Sequence, residues 1–222
     1  MDEIDEIIKN RVVNRLSAMI PFLREFGINE FYIGGNSLNR GKPRDYDLFP
    51  VKKNDFDKSG MGKYTIISTK NARTIRYLDM VIQMCNYHHE SLAALIESFD
   101  FAHIKVGAHV VCDEIGIEAG EIYYSQDWLI AKSVESTRYT GSEYPLSSLI
   151  RCLKYHGRGD YSGVSYMGDV IEILTDIIRR GFVDYDDFKD QLDAVDLGLV
   201  PEDYSEIGMT SLMDLFNLLK KR

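Results

Sequence analysis

Residues 31–51 read FYIGGNSLNRGKPRDYDLFPV. The apolar run Phe31-Tyr32-Ile33 has the length and character of a short buried strand. It stops at Gly34-Gly35, with Asn36 and Ser37 behind. Two glycines at that point permit a sharp turn and a close approach of backbone to ligand. Backbone N–H groups at such a turn suit an anion such as phosphate. Arg40, Gly41, Lys42, Pro43 and Arg44 then make a basic, turn-rich linker. Asp45-Tyr46-Asp47-Leu48-Phe49 returns to strand composition. Side chains two apart on a strand share a face, so Asp45 and Asp47 project side by side with Tyr46 behind them. Adjacent carboxylates repel each other as bare anions. A divalent cation resolves the conflict, and Mg2+, or Mn2+ in its place, takes oxygen ligands of this kind.

This order of strand, Gly-Gly, turn and Asp-x-Asp resembles the signature of the nucleotidyltransferase superfamily related to DNA polymerase beta. Ile33-Gly34-Gly35 is followed by nine residues, Asn36 to Arg44, and then by Asp45-Tyr46-Asp47. The chain differs from the CCA-adding enzymes in its shorter spacing and in lacking the Arg-Asp pair they carry after the glycines. A softer set of motifs follows. Asn71-Ala72 precedes a strand ending in Ile82-Gln83, then come Ser98-Phe99-Asp100-Phe101, Leu149-Ile150-Arg151-Cys152-Leu153-Lys154-Tyr155 and Arg158-Gly159. That order is similar to nucleotidyltransferase-like proteins of large phages and giant viruses, from about Gly35 to Asp160.

The resemblance implies an α+β fold, a small mixed sheet with flanking helices, followed by a helical region. It implies a Mg2+-dependent enzyme that moves a nucleoside monophosphate from an NTP, ATP included, to an acceptor hydroxyl and releases pyrophosphate. The acceptor is left open among an RNA 3′ end, a small molecule and a protein side chain. Asp45 and Asp47 would be the catalytic metal ligands, with a third carboxylate from another strand. Gly34, Gly35 and Ser37 would bind the nucleotide, Gly35 by its N–H and Ser37 by its hydroxyl on the β- and γ-phosphates. Asp79, in Tyr77-Leu78-Asp79-Met80-Val81, and Asp100, in Phe99-Asp100-Phe101, are both flanked by apolar residues. Burying either is costly unless it is paired or metal-bound. The recurring Ser-Phe-Asp-Phe stretch selects Asp100 as the third catalytic and metal-binding residue and leaves Asp79 structural. The alternative reading is a non-catalytic nucleotide- or partner-binding protein that keeps the fold.

Composition bounds these readings. A chain of 222 residues holds one large domain or two small ones, and 45% hydrophobic content is not that of a disordered chain. No apolar run approaches the ~18–20 residues of a membrane span. The formal net charge of −9 argues against a generic nucleic-acid coat, so any nucleic-acid contact is local or the substrate is small. Arg151, Lys154 and Arg158 invert the charge locally. Arg151 and Lys154, three apart, share a helix face and can hold a triphosphate or a polynucleotide end. Surface salt bridging is the plainer account of the same residues. Acidic side chains gather from Asp184 to Glu206 as a solvated face. Cys85, Cys112 and Cys152 are odd in number, which speaks for a reducing, cytoplasmic setting without a disulfide framework. Cys85, His88 and His89 lack a fourth ligand for tetrahedral zinc. Tyr123, Tyr124, Trp128 and Tyr139 could stack a base, but core packing is the commoner role of such a cluster.

Periodicity predicts a helix over 2–26, broken at Pro21 and stopped by Gly27. Strands are expected over 64–69, over 74–85 with a break near Asp79, over 99–111 and over 117–124. A helix is expected over 89–98. From Asp127, expected to cap the next helix, the pattern is helical. Pro145 opens a helix that Gly157 ends, and further helices are expected near 167–180, 185–195 and 210–220. The expected division is a nucleotidyltransferase core over 1–126 and a helical domain over 127–222.

Overall fold

The computed structural model describes residues 3–39, 41, 43, 45–53, 56, 60–68, 71–162 and 165–193. The helix expected near 210–220, most of the acidic stretch ending at Glu206, and Arg40, Lys42 and Arg44 lie outside these residues. The chain divides into two compact units, one of Met1–Phe99 with His103–Ile130, the other of Asp100–Ala102 with Ala131–Arg222.

The first unit is a mixed sheet with helices on its faces. Its helices begin with α1, Glu3–Leu16, and α2, Ile20–Glu25, joined by the 3-10 turn Ser17–Met19. Pro21 falls in the first turn of α2, where a missing N–H is harmless. Gly27, at φ 59°, ends the pair as expected. The strands are β1 Glu30–Gly34, β2 Tyr46–Pro50, β3 Thr65–Ser68, β4 Ala72–Tyr77, β5 Met80–Cys85, β6 Val106–Cys112 and β7 Ile117–Tyr124. They lie in the order β3-β4-β5-β2-β1-β6-β7. The pair β2–β5 is parallel and every other neighbouring pair is antiparallel.

The stretch 74–85 breaks near Asp79 as expected, whereas the start of the strand expected over 99–111 is not a strand. Residues 74–85 belong to a hairpin that turns at Leu78-Asp79, with Leu78 driven to φ 53° to close it. Asp79 is exposed at that tip. Residues 99–105 are irregular: Phe101 makes one bridge to Tyr139, a 3-10 turn covers Ala102–Ile104, and β6 starts only at Val106. The side chain of Asp100 and the ring of Phe101 are drawn into the second unit, and this takes the backbone out of strand geometry.

The sheet has two unlike faces. On one, Ile8, Val12 and Leu16 of α1 and Phe22 and Leu23 of α2 pack with Phe31, Ile33, Leu48, Ile82, Met84, Val106 and Val110. On the other lies α3, Leu92–Glu97, whose Leu92, Leu95 and Ile96 pack with Phe49 and Cys85. Ser91 caps α3 by accepting the Ala94 N–H at 3.1 Å. After β7 comes α4, Gln126–Val134, within which the two units divide. Its cap is Ser125, which accepts the Trp128 N–H at 3.1 Å, and the expected Asp127 sits in the first turn instead.

The second unit holds α5 Pro145–Gly157, α6 Ser165–Arg180 and α7 Tyr185–Asp193. Pro145 starts α5, and Gly181 at φ 58° follows α6 with its N–H on the Ile177 carbonyl. Phe101, Cys152, Tyr155, Ile173, Ile177, Phe182 and Phe188 are buried there. Among the described residues, Cys85, Cys112 and Cys152 are free and buried, and no helix is long and apolar enough to cross a membrane.

Candidate functional site

The turn and the two aspartates meet at one end of β1 and β2. Gly34 pairs with Asp47 in the antiparallel ladder, so the strand leading into the turn runs beside the second aspartate. Asp47 is half-buried between buried Tyr46 and Leu48, and Asp45, also half-buried, immediately precedes the strand. Asp47 alternates onto the α3 face with Phe49 and with Cys85 of β5, and the charge of Asp45 also reaches Cys85. Burial pushes the Cys85 thiol well above its ordinary pKa, and the charges of Asp47 and then Asp45 push it further. A thiol held protonated in this way does not suit a nucleophile. His88, the neighbour once weighed with it, donates from Nε2 to the Val51 carbonyl at 3.0 Å.

The two glycines do different work. Gly34 is extended at φ −148°, and a Cβ on it would lie 3.0 Å from Cδ1 of Ile96 and 3.1 Å from the Phe99 ring. Gly107, its partner on β6, is tighter still, with a Cβ falling 2.4 Å from Ile96 Cδ1. These two glycines let α3 settle onto the sheet. Gly35, at φ 75°, makes the turn, and a Cβ there would stand 3.7 Å from Asp47 Oδ2. Bare backbone therefore sits against the carboxylate pair. Ser37 follows in the 3-10 turn Gly35–Leu38; it is buried and its hydroxyl donates to the Gly34 carbonyl at 2.6 Å.

The first helix, predicted from periodicity alone, contributes two side chains here. Arg11 donates to the Leu38 carbonyl, and Arg15 donates to the carbonyls of Ser37 and Gly41. Burial, and then the like charge of Arg11, lower the Arg15 pKa from the usual arginine value. Two guanidinium groups one helical turn apart repel each other; here captured carbonyls offset that repulsion. A like-charged i, i+4 pair inside an amphipathic helix was the available signal.

Asp100 has a separate setting in the second unit. Its Oδ2 accepts from Ser148 Oγ at 2.6 Å, from Arg151 Nε at 2.8 Å and from Arg151 Nη2 at 2.7 Å. Its side chain is 6% exposed against 26% for Arg151. The guanidinium offered as a phosphate contact is thus engaged by the carboxylate offered as a metal ligand. Lys154, three residues along α5, is half-buried. Among the described residues, no three or more His, Cys, Asp or Glu side chains gather as a metal-binding set. Asp45 and Asp47 fit a divalent cation in another way: Mg2+ is commonly held by one or two carboxylates plus substrate phosphates rather than by an all-protein cage.

No family model matches the chain, and no curated protein matches it. Solved structures similar to it include the complex of a CCA-adding enzyme with CTP, at 11% identity and a TM-score of 0.49, covering 89% of this chain and 50% of that one. A tRNA-processing enzyme in an apo form is 13% identical with a TM-score of 0.47, covering 93% of this chain and 62% of that one. A tRNA-processing enzyme with CTP is 13% identical with a TM-score of 0.45, covering 71% of this chain and 46% of that one. The chain spans between 46% and 62% of the length of these three structures.

Proposed function

We propose that the chain is a divalent-metal-dependent nucleotidyltransferase that moves a nucleoside monophosphate from an NTP to an acceptor hydroxyl. The observation that carries this reading is the placement of the positive-φ Gly35 turn against Asp47, with Asp45 immediately before β2. Asp45 and Asp47 would hold Mg2+ or Mn2+. The bound ion supplies neutralising charge to the triphosphate and lowers the pKa of the acceptor hydroxyl. Gly34 and Gly35 leave backbone within reach of phosphate, and Ser37 holds the turn through the Gly34 carbonyl. In the reaction the acceptor oxygen bonds to the α-phosphorus as the bond to the pyrophosphate oxygen breaks. The hydroxyl proton passes to a carboxylate of the pair or to water. Positioning and charge do most of the work, because phosphoryl chemistry asks for little covalent help. Arg151 and Lys154 are proposed as phosphate contacts on the α5 surface, with Asp100 ordering Arg151. The acceptor is an RNA 3′ end, a small-molecule hydroxyl or a protein side chain.

A second reading, a nucleotide-binding protein without turnover, draws on the lack of a three-acid cluster among the described residues. Incubation with each α-labelled NTP, Mg2+ and total RNA, protein or small-molecule extract separates the two. Label should enter one acceptor fraction with wild type and vanish with Asp47→Asn. Binding of an NTP by both proteins with no label transferred by either would establish the second reading.

A further inference from the structure

The sheet register puts one more polar side chain beside the carboxylate pair. Asp47 is paired in parallel with Gln83 of β5, and Gln83 in turn with Thr74 of β4. Laterally paired residues present their side chains on the same face. Burial agrees: Asp47, Gln83 and Thr74 are half-buried, while the alternate positions Leu48, Ile82, Met84 and Ile75 are buried in the α1 and α2 core. Across Asp47 the row continues through Gly34 and Gly107, where Ile96 covers the sheet. Moving outward from the α3 packing, the row therefore passes from glycine to carboxylate to amide.

Glutamine is a weak choice for an inner strand, which favours branched and aromatic side chains. Its side chain makes no hydrogen bond to another group among the described residues. A half-buried amide at that position is open to water or to a ligand as its partner. Next to two carboxylates an amide offers an oxygen donor that adds no charge.

We propose that Gln83 is the third protein group of the Asp45–Asp47 site, a neutral amide donor toward the divalent cation and nucleotide. This rests on the nucleotidyltransferase reading of that site. Two carboxylates and an amide carry one unit of negative charge less than three carboxylates. Cation affinity in oxygen sites rises with ligand charge, so the ion is held weakly by the free protein and firmly only with the triphosphate. The neutral third donor makes cation loading depend on nucleotide.

Free Mn2+ measured by electron paramagnetic resonance tests this, with and without the α,β-methylene analogues of the four NTPs. The proteins compared are wild type, Gln83→Leu, Gln83→Glu, Asp47→Asn and Asp100→Asn, each checked for fold by circular dichroism. Wild type should bind Mn2+ at least about tenfold more tightly when its analogue is present. Gln83→Leu, of similar bulk, should weaken that nucleotide-dependent binding about tenfold or more. Gln83→Glu, nearly isosteric, should tighten Mn2+ binding in the absence of nucleotide by about tenfold. If Asp47→Asn loses binding while both Gln83 variants match wild type, the assignment of Gln83 is overturned and the site survives. If Asp100→Asn loses it and Gln83→Leu does not, the third donor is Asp100. Equal binding by wild type and Asp47→Asn overturns the site itself, and Gln83 with it.

Discussion

At the level of single residues, two glycines, Gly35 and Gly107, differ in what a methyl group would cost. Gly35→Ala forces a side chain to φ 75°, about 1–2 kcal/mol, although the new Cβ makes only an ordinary contact with Asp47. Gly107→Ala drives a Cβ into Ile96, an overpacking cost of about 1–3 kcal/mol. Urea denaturation should find both variants destabilised, but only Gly35→Ala should also weaken nucleotide binding. Equal nucleotide affinity in the two would leave Gly35 as a turn residue alone. Asp45→Asn and Asp47→Asn should each abolish transfer with the thermal midpoint unchanged or raised, because each relieves repulsion between neighbouring carboxylates. Turnover by both variants would remove the pair from the chemistry.

At the level of elements, α1 acts on the turn through Arg11 and Arg15. Arg15→Met keeps the apolar stem and leaves the carbonyls of Ser37 and Gly41 without their donor. A lost donor to a buried carbonyl costs about 1–3 kcal/mol, and the exposed position of Gly41 puts this case at the low end. Hydrogen exchange at Ser37 and Leu38 should quicken while exchange in β1 and β2 holds, and nucleotide affinity should fall with it. Unchanged exchange at the turn would mean that the 3-10 geometry and the Ser37 hydroxyl hold it unaided. On α5, removing Arg151 takes the counter-charge and two of its three donors from the almost fully buried Oδ2 of Asp100 and leaves only Ser148 there. Arg151→Ala should therefore destabilise strongly. Its effect on substrate binding is best read beside Lys154→Ala, one helical turn along α5.

For the molecule as a whole, ligand and pH both bear on stability. An NTP with Mg2+ at a hundredfold its dissociation constant adds about 2.7 kcal/mol, or roughly 5–10 °C in thermal midpoint for a chain of this size. Asp47→Asn should erase that shift, and its persistence would place the nucleotide elsewhere. In the helical unit, burial raises the pKa of Asp160, with the charge of Arg158 opposing it only in part. Burial raises Asp169 too, against hydrogen bonds from Tyr161 and the Tyr139 N–H. A carboxyl raised on folding holds its proton more tightly in the folded chain. Its contribution is full below the ordinary aspartate value of about 3.9 and is lost as pH rises through the raised one. Asp160→Asn should flatten that decline and raise stability at pH 7 in urea titrations. An unchanged pH profile would exclude Asp160 as a source.

Local chemistry in the chain was sufficient for the strand, the glycine turn, the strand that carries Asp47, the break at Pro21 and the start of α5 at Pro145. Each depends on backbone preference or on spacing within a few residues, which sequence carries directly. The α+β class followed from the same signals. What tertiary structure alone decided lies between residues far apart in the chain. Arg15 reaches a carbonyl 22 residues away, and Arg151 reaches Asp100 across 51. Apolar flanks showed that Asp100 had to be compensated, but a guanidinium and a metal ion satisfy that requirement equally well. Gln83 joins Asp47 only because β5 returns from a hairpin to lie parallel to β2. That register is chosen by burying Ile82 and Met84 on the opposite face, and a one-residue slip would turn the amide away from the carboxylates.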